Sequence, residues 1–345
     1  MRKSGYGVAV IGATGTVGRE LVAVLADRAF PLNRLRLLAT RASLGQEIEG
    51  ADAPVEELAE DTDLSGTDFV FLACPEEVSR TWRQRARAAG AYAIDTSAGQ
   101  GELEAVPLVV PEVNSGALAI AKESRWAASP HPIAVALAVV LHPLSQLAPL
   151  GRVVATALEP VSSKGRAGVE VLEEEVRALL GATEPDASHV FPQRIAFNVC
   201  PAEDPTAHLT NGGQTEHCAV RHLRQVLDAP TLRVKLSRVH VPVFFGLTLV
   251  VDVVLQAPVD VAALENHFRA APGLLFVSAF EKGSTSALPL PTPATVVGSD
   301  ATHVACLGVD PEVPSVTLWV ALDNTRKGSA TNAVQIAELL LRDSL

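Results

Sequence analysis

"YGVAVIGATGTVGRELVAVLAD", residues 6–27, carries two periodicities in one stretch. Residues 6–11 are a short apolar run of the strand type, and from Val17 onward apolar residues recur at helical spacing. Glycines stand at 12, 15 and 18, where one pattern gives way to the other. Gly12 permits a tight turn, Gly15 lets a phosphate approach the backbone, and Gly18 lets the helix settle on the strand. Gly12, Thr14, Gly15, Thr16, Val17 and Gly18 are therefore the candidate phosphate cradle. A plain tight turn in an α/β domain would use the same residues, and the sequence leaves that reading open.

Working outward, "LRLLAT" (35–40), "TDFVFLAC" (67–74) and "AYAIDTSA" (91–98) read as further strands, with a helix in "EEVSRTWRQRARAAG" (76–90). Strands alternating with helices predict a doubly wound parallel sheet over the first 130 residues. At the end of its second strand, Thr40, Arg41 and Ser43 stand where an acidic residue would take a ribose hydroxyl. That predicts NADP over NAD, bound weakly. From Arg152 the texture changes to longer alternating strands, "RVVATALEPV", "LRVKLSRVHVPVFF" and "LTLVVDVVLQ", with amphipathic helices around 166–180 and 216–227. These predict an α+β domain on an antiparallel or mixed sheet.

The 345 residues are 48% hydrophobic and 19% charged, with net charge -11, which argues against a phosphate-backbone partner. Cys74, Cys200, Cys218 and Cys306 lie far apart without paired spacing, so free thiols in a reducing cytoplasm are expected. The glycines from Gly12 interrupt the N-terminal apolar run before a signal peptide develops. Gly246 and Asp252 break "FFGLTLVVDVVLQ" (244–256), which is too short to span a bilayer.

"GATGTVG" (12–18), "VPLVVPEVN" (106–114), "AFNV" (196–199), "VPVFFG" (241–246) and "DNTRKGSATNAVQIAE" (323–338) together resemble the aspartate-semialdehyde dehydrogenase family along essentially the whole chain. The N-acetyl-glutamyl-phosphate reductase family is a more distant likeness. The resemblance implies an NADP-binding Rossmann domain, 1–130, closed by the C-terminal helix in 324–345, and an α+β domain, 131–323, that dimerises and carries the catalytic cysteine. It also implies reduction of an acyl phosphate to an aldehyde through a thioester. Such a reaction needs a thiolate, a histidine to move the proton and an arginine to clamp the substrate carboxylate.

Against that pattern the chain departs at the site. Counting back from "VLHPL" in "SRWAASPHPIAVALAVVL" (124–141 and onward) puts the family's cysteine at Pro132, or at His131 if the turn is one residue shorter. In "HVPVFFGLT" the arginine clamp is His240, the catalytic histidine is Leu247 and a serine is Thr248; a strand glutamine is Glu159. The phosphate-holding arginine would fall in "AGQGELEA" (98–105), which has none, and "TEHC" (215–218) puts Cys218 in a lysine's place. Cys74 and Pro75 stand in a loop where the family has small residues against the cofactor.

Each remaining candidate has two readings. His131 is a general base or a polar turn residue, Pro132 is a helix opener, and Cys200 is a relocated nucleophile or a structural thiol. His217, Cys218 and His222 share one helix, but the i, i+5 spacing separates the histidines and no metal site is expected. Asn324, Arg326 and Lys327 match the family's nicotinamide-side segment and serve either the cofactor or helix docking. The expectation is a homodimeric member of the family without its chemistry, retaining NADP or another small-molecule ligand. The alternative is an active NADP-dependent oxidoreductase of amino-acid biosynthesis acting on aspartate semialdehyde, aspartyl phosphate or a related aldehyde.

Overall fold

The structure, a computed structural model, describes residues 5–97, 107–202, 217–278, 290–310 and 312–342. The chain forms two compact units, Met1–Pro132 with Gly328–Leu345, and Ile133–Lys327.

In the first unit the elements run β1 (Tyr6–Ile11), α1 (Thr16–Asp27), β2 (Leu32–Ala39), β3 (Val55–Glu57), β4 (Phe69–Leu72), α2 (Glu76–Ala88), β5 (Tyr92–Asp95), the short α3 (Pro111–Asn114), α4 (Leu118–Ser124) and β6 (Trp126–Ala128). The strands form a six-stranded sheet in the order β3-β2-β1-β4-β5-β6, parallel at every pairing. Alternate residues of β1 serve opposite faces: Val8 and Val10 join a core with Leu21, Leu25, Val334 and Ile336, while Ala9 and Ile11 join Trp82 and Ala86. A parallel sheet buried on both faces is what the continuous apolar strands demand. The C-terminal helix (Thr331–Arg342) packs beside α1, and Arg28 holds Glu338 through both carboxylate oxygens at 2.9 and 2.7 Å.

The second unit follows with α5 (Pro132–Leu147), β7 (Leu150–Glu159), α6 (Gly165–Leu180), β8 (Cys200–Pro201), α7 (Cys218–Val226), β9 (Arg233–His240), β10 (Leu247–Leu255), α8 (Val261–Ala270), β11 (Leu274–Val277), α9 (Pro293–Val296), β12 (Thr302–Asp310) and β13 (Ser315–Leu322); the C-terminal helix is then α10. Its seven-stranded sheet has the order β11-β12-β13-β10-β7-β9-β8. It is mixed: β7 runs parallel to β9 and β11 to β12, and the remaining pairings are antiparallel. On β10, Leu249, Val251 and Val253 are fully buried, whereas Val250 is half-buried and Asp252 and Val254 are exposed. The chain thus covers one face of this sheet more completely than the other.

The C-terminal segment departs from a simple helix. Residues 326–330 form a wider, π-type turn, and regular α-helix begins only at Thr331. Asp323 Oδ1 accepts from the N–H groups of Thr325 and Arg326 at 2.9 and 3.1 Å, turning the chain out of β13 before the helix can start.

Candidate functional site

In the first unit the glycine turn is built as the residues require. Gly12 has φ +84°, and a Cβ there would lie 2.2 Å from the carbonyl oxygen of Ala73. A Cβ on Gly18 would meet the Gly12 carbonyl oxygen at 2.1 Å, so strand and helix touch backbone to backbone. Gly15 is different. Its nearest neighbour is the same oxygen at 3.3 Å, a tight contact but one that a shift of a few tenths of an ångström relieves, unlike those at Gly12 and Gly18. Gly15 is also the N-cap of α1, with no side-chain cap and no acidic residue in the first turn. The N–H groups of Thr16, Val17 and Gly18 belong to the helix's first turn, where positive dipole and unused donors favour an anion.

The NADP-directed residues lie beside this turn. Thr14 donates from Oγ1 to Ser43 Oγ at 3.1 Å, linking the cradle to the 3₁₀ turn Arg41–Ser43 that follows β2. Thr40 and Arg41 are exposed there, as a 2′-phosphate partner would need to be. The residues present fit a dinucleotide. Cys74 is half-buried, and burial, with the Asp95 charge adding to it, pushes its thiol up to about 12.

At the carboxyl end of β6, the edge strand of the same sheet, stands the turn that the sequence singled out. Ser129 is buried; its N–H donates to the Asp95 carbonyl oxygen at 2.8 Å and its Oγ accepts from Asn332 Nδ2 at 3.0 Å. Pro130 is buried, His131 and Pro132 are half-buried, and Pro132 is the first residue of α5. Proline suits that position because its fixed φ is helical and its missing donor would have had no intrahelical partner. Asn332 escaped the sequence reading. It is fully buried in the first turn of α10, gives Nδ2 also to the Val109 carbonyl oxygen at 2.8 Å, and leaves Oδ1 without a hydrogen-bond partner among the described residues.

In the second unit Glu159, His240 and Leu247 lie at one end of neighbouring strands. Glu159 ends β7 and His240 ends β9, and the two are register partners. The Glu159 carboxylate is paired with Arg238, whose Nε donates to one oxygen and whose Nη2 donates to the other at 3.1 Å. His240 is buried, with its ring edge-on to Phe191 at 5.2 Å and its Nδ1 unpartnered among the described residues. Burial pushes its imidazole below the ordinary value, against an opposing pull from Glu159. Leu247 begins β10, buried opposite Leu322, and next to it Thr248 Oγ1 is buried without a partner among the described residues. Asn324 is committed within this unit: its Nδ2 donates to Ser162 Oγ at 3.0 Å and its Oδ1 accepts from the Gly246 N–H at 3.1 Å. Arg326 donates to Asp300 at 2.6 Å, and Lys327 is fully buried.

Cys200 pairs with His240 across β8 and β9, but its sulfur lies 3.7 Å from both the Arg194 carbonyl oxygen and Asn198 Nδ2, and burial raises its pKa. Burial likewise raises Cys218 and Cys306. His217 caps α7, its Nδ1 accepting from the Ala219 N–H at 3.2 Å, and stands 4.0 Å from Cys218 Sγ. His222 is fully buried and pushed down to about 4, by burial first and the Arg221 charge second. The stretch 98–105 and residues Thr215 and Glu216, expected to show a missing arginine and a changed pair, lie outside the described residues.

Comparison with known proteins agrees with this layout. Residues 7–121 match the semialdehyde dehydrogenase NAD binding domain, and residues 141–327 match the semialdehyde dehydrogenase dimerisation domain. The chain is 37% identical over 344 residues to a USG-1 protein homolog from Azotobacter vinelandii, with 97% of each chain covered. It is 33% identical over 343 residues to aspartate-semialdehyde dehydrogenase from Rickettsia bellii, covering 99% of each. The crystal structure of aspartate semialdehyde dehydrogenase II from Vibrio cholerae superposes with a TM-score of 0.89 at 31% identity, over 99% of this chain and 100% of that one. Two matched domains in sequence order and near-complete coverage at these identities place the chain in the aspartate-semialdehyde dehydrogenase family.

Proposed function

We propose that this chain is a non-catalytic member of its family: a homodimer that binds NADP(H) through the first unit and does not convert aspartyl phosphate to its semialdehyde. One observation carries the reading. Pro132, which has no nucleophile, opens α5, and the resemblance assigns the family's thiol to this place or to His131, which is no thiol either. Burial raises the pKa of all four cysteines, which disfavours the thiolate at each of them. Leu247 cannot move a proton, and His131 would at best form an acyl-imidazole that water removes.

The cofactor half of the proposal rests on Gly12, Gly15, Gly18 and the first turn of α1 for the phosphates, on Thr40, Arg41 and Ser43 for the 2′-phosphate, and on the Asn332 Oδ1 acceptor for a ligand N–H. When bound, NADP(H) supplies a hydride acceptor or donor at its nicotinamide ring. The dimer half rests on the more open face of the seven-stranded sheet, where half-buried Val154, Leu158, Val250 and Trp319 lie among polar residues. Among the described residues no helix is long and apolar enough to cross a membrane.

The test is phosphate-dependent oxidation of aspartate semialdehyde by the purified protein, read as NADPH formation. No turnover is expected, and Pro132→Cys alone should not restore it, because the site acts as a unit. Turnover that scales with protein and disappears in Cys200→Ala would overturn the proposal and assign the nucleophile to Cys200.

A further inference from the structure

We propose that Glu159 is a built-in ligand: its carboxylate fills a guanidinium site on Arg238 that, without it, binds the carboxylate of a small organic acid of about propionate size. This rests on the reading that the second unit no longer turns over its family's substrate. On β7 the residues Val153, Ala155, Ala157 and Glu159 share the covered face, and Glu159 is the charged one among them. In the register of β7 and β9, Arg238 sits beside Ala157 and His240 beside Glu159. The Arg238 stem therefore lies along the small Ala157 and its fork reaches forward to Glu159, using both oxygens. The two side chains are 13% and 4% exposed.

That fork is the geometry by which arginine holds a free carboxylate. Stability alone gives little reason to build it here, because a buried ion pair is commonly no better than an apolar pair of similar volume. A second observation points to a ligand. His240, 1% exposed and on the same face, keeps Nδ1 without a hydrogen-bond partner among the described residues. The Glu159 side chain beyond its backbone has the size and charge of propionate, which sets the class of acid the emptied site takes.

The experiment uses the full chain as wild type, Glu159→Ala and Glu159→Ser, with sodium propionate as probe and sodium chloride at equal ionic strength as control. Thermal melts are read against concentration. Wild type should give no saturable response. Glu159→Ala should melt below wild type and recover saturably with propionate, at an apparent affinity at least tenfold tighter than wild type. If the alanine variant does not fold, Glu159→Ser, which also empties the site but keeps a polar atom there, should give the saturable response. Adding Arg238→Met to either variant should abolish it. A propionate response equal to wild type in both variants, or one that survives Arg238→Met, overturns the proposal. Turnover of aspartate semialdehyde by wild type would refute the earlier reading without touching this binding result.

Discussion

The glycine turn after β1 and the end of the seven-stranded sheet differ in what they ask of sequence. The turn is made of backbone: Gly12 and Gly18 are each fixed by a close approach that any side chain would block, and Gly15 is approached less closely, at 3.3 Å. The sheet end is made of side chains: a buried Leu247, a His240 whose imidazole burial pushes below its ordinary value, and a Glu159 held by Arg238. A backbone cradle keeps its ligand chemistry as long as its shape is kept. A side-chain site can lose its reaction while the strands that carried it stay in register. The comparison predicts that changes in the turn act on shape, and changes at the sheet end act on charge.

The largest effect should come from Gly12→Ala, where a left-handed backbone and a backbone clash are both imposed. A loss of about 4 kcal/mol or failure to fold is expected by denaturant unfolding. Glu159→Ala should cost roughly as much, about 3–5 kcal/mol, because it leaves the Arg238 charge buried and alone. The same measurement on Glu159→Leu with Arg238→Met should come within about 1 kcal/mol of wild type; equal damage in both would mean that shape, not charge, governs the sheet end.

Next comes acid. His222 has its folded pKa depressed to about 4 while the unfolded group titrates near 6.5, so the unfolded chain takes up the proton first. The stabilisation is present above pH 6.5 and is lost as pH falls toward 4, with a total of about 3 kcal/mol. His222→Gln should flatten that limb of the stability profile. An unchanged slope would remove His222 from the account. The smallest stability effect is expected from Gly15→Ala, within about 1 kcal/mol, since its nearest contact is at 3.3 Å. Its NADPH affinity should nonetheless fall at least tenfold. Loss of stability without loss of affinity would make the turn architectural.

The contrast also explains what the sequence made legible. Alternating periodicities and a glycine that only one backbone geometry requires are local signals, so the first sheet, its turn and the amphipathic helices at 165–180 and 218–226 could be read directly. Glu159 stood out in the sequence as a departure from the resemblance, but its partner Arg238 did not, because that pairing depends on the parallel register of β7 and β9. Asn332 was hidden for a similar reason: inside an apolar helical run it looks like one polar residue, and only folding sets it against Ser129 and Val109. Asn324 matched a cofactor segment by sequence, yet its amide bonds Ser162 and Gly246 within the second unit. The wide turn at 326–330 was not legible because nothing in its five residues tells a π-type turn from the first turn of the helix that follows.

Nucleotide fluorescence tests the central claim most directly, since NADPH emits and NADP does not. Titrating NADPH into the folded protein should give a saturable change in emission that NADH reproduces only at higher concentration, while NADP with phosphate and aspartate semialdehyde should stay dark at any protein concentration. Absence of a saturable NADPH signal, or emission that grows in the NADP mixture in proportion to protein, would contradict the account.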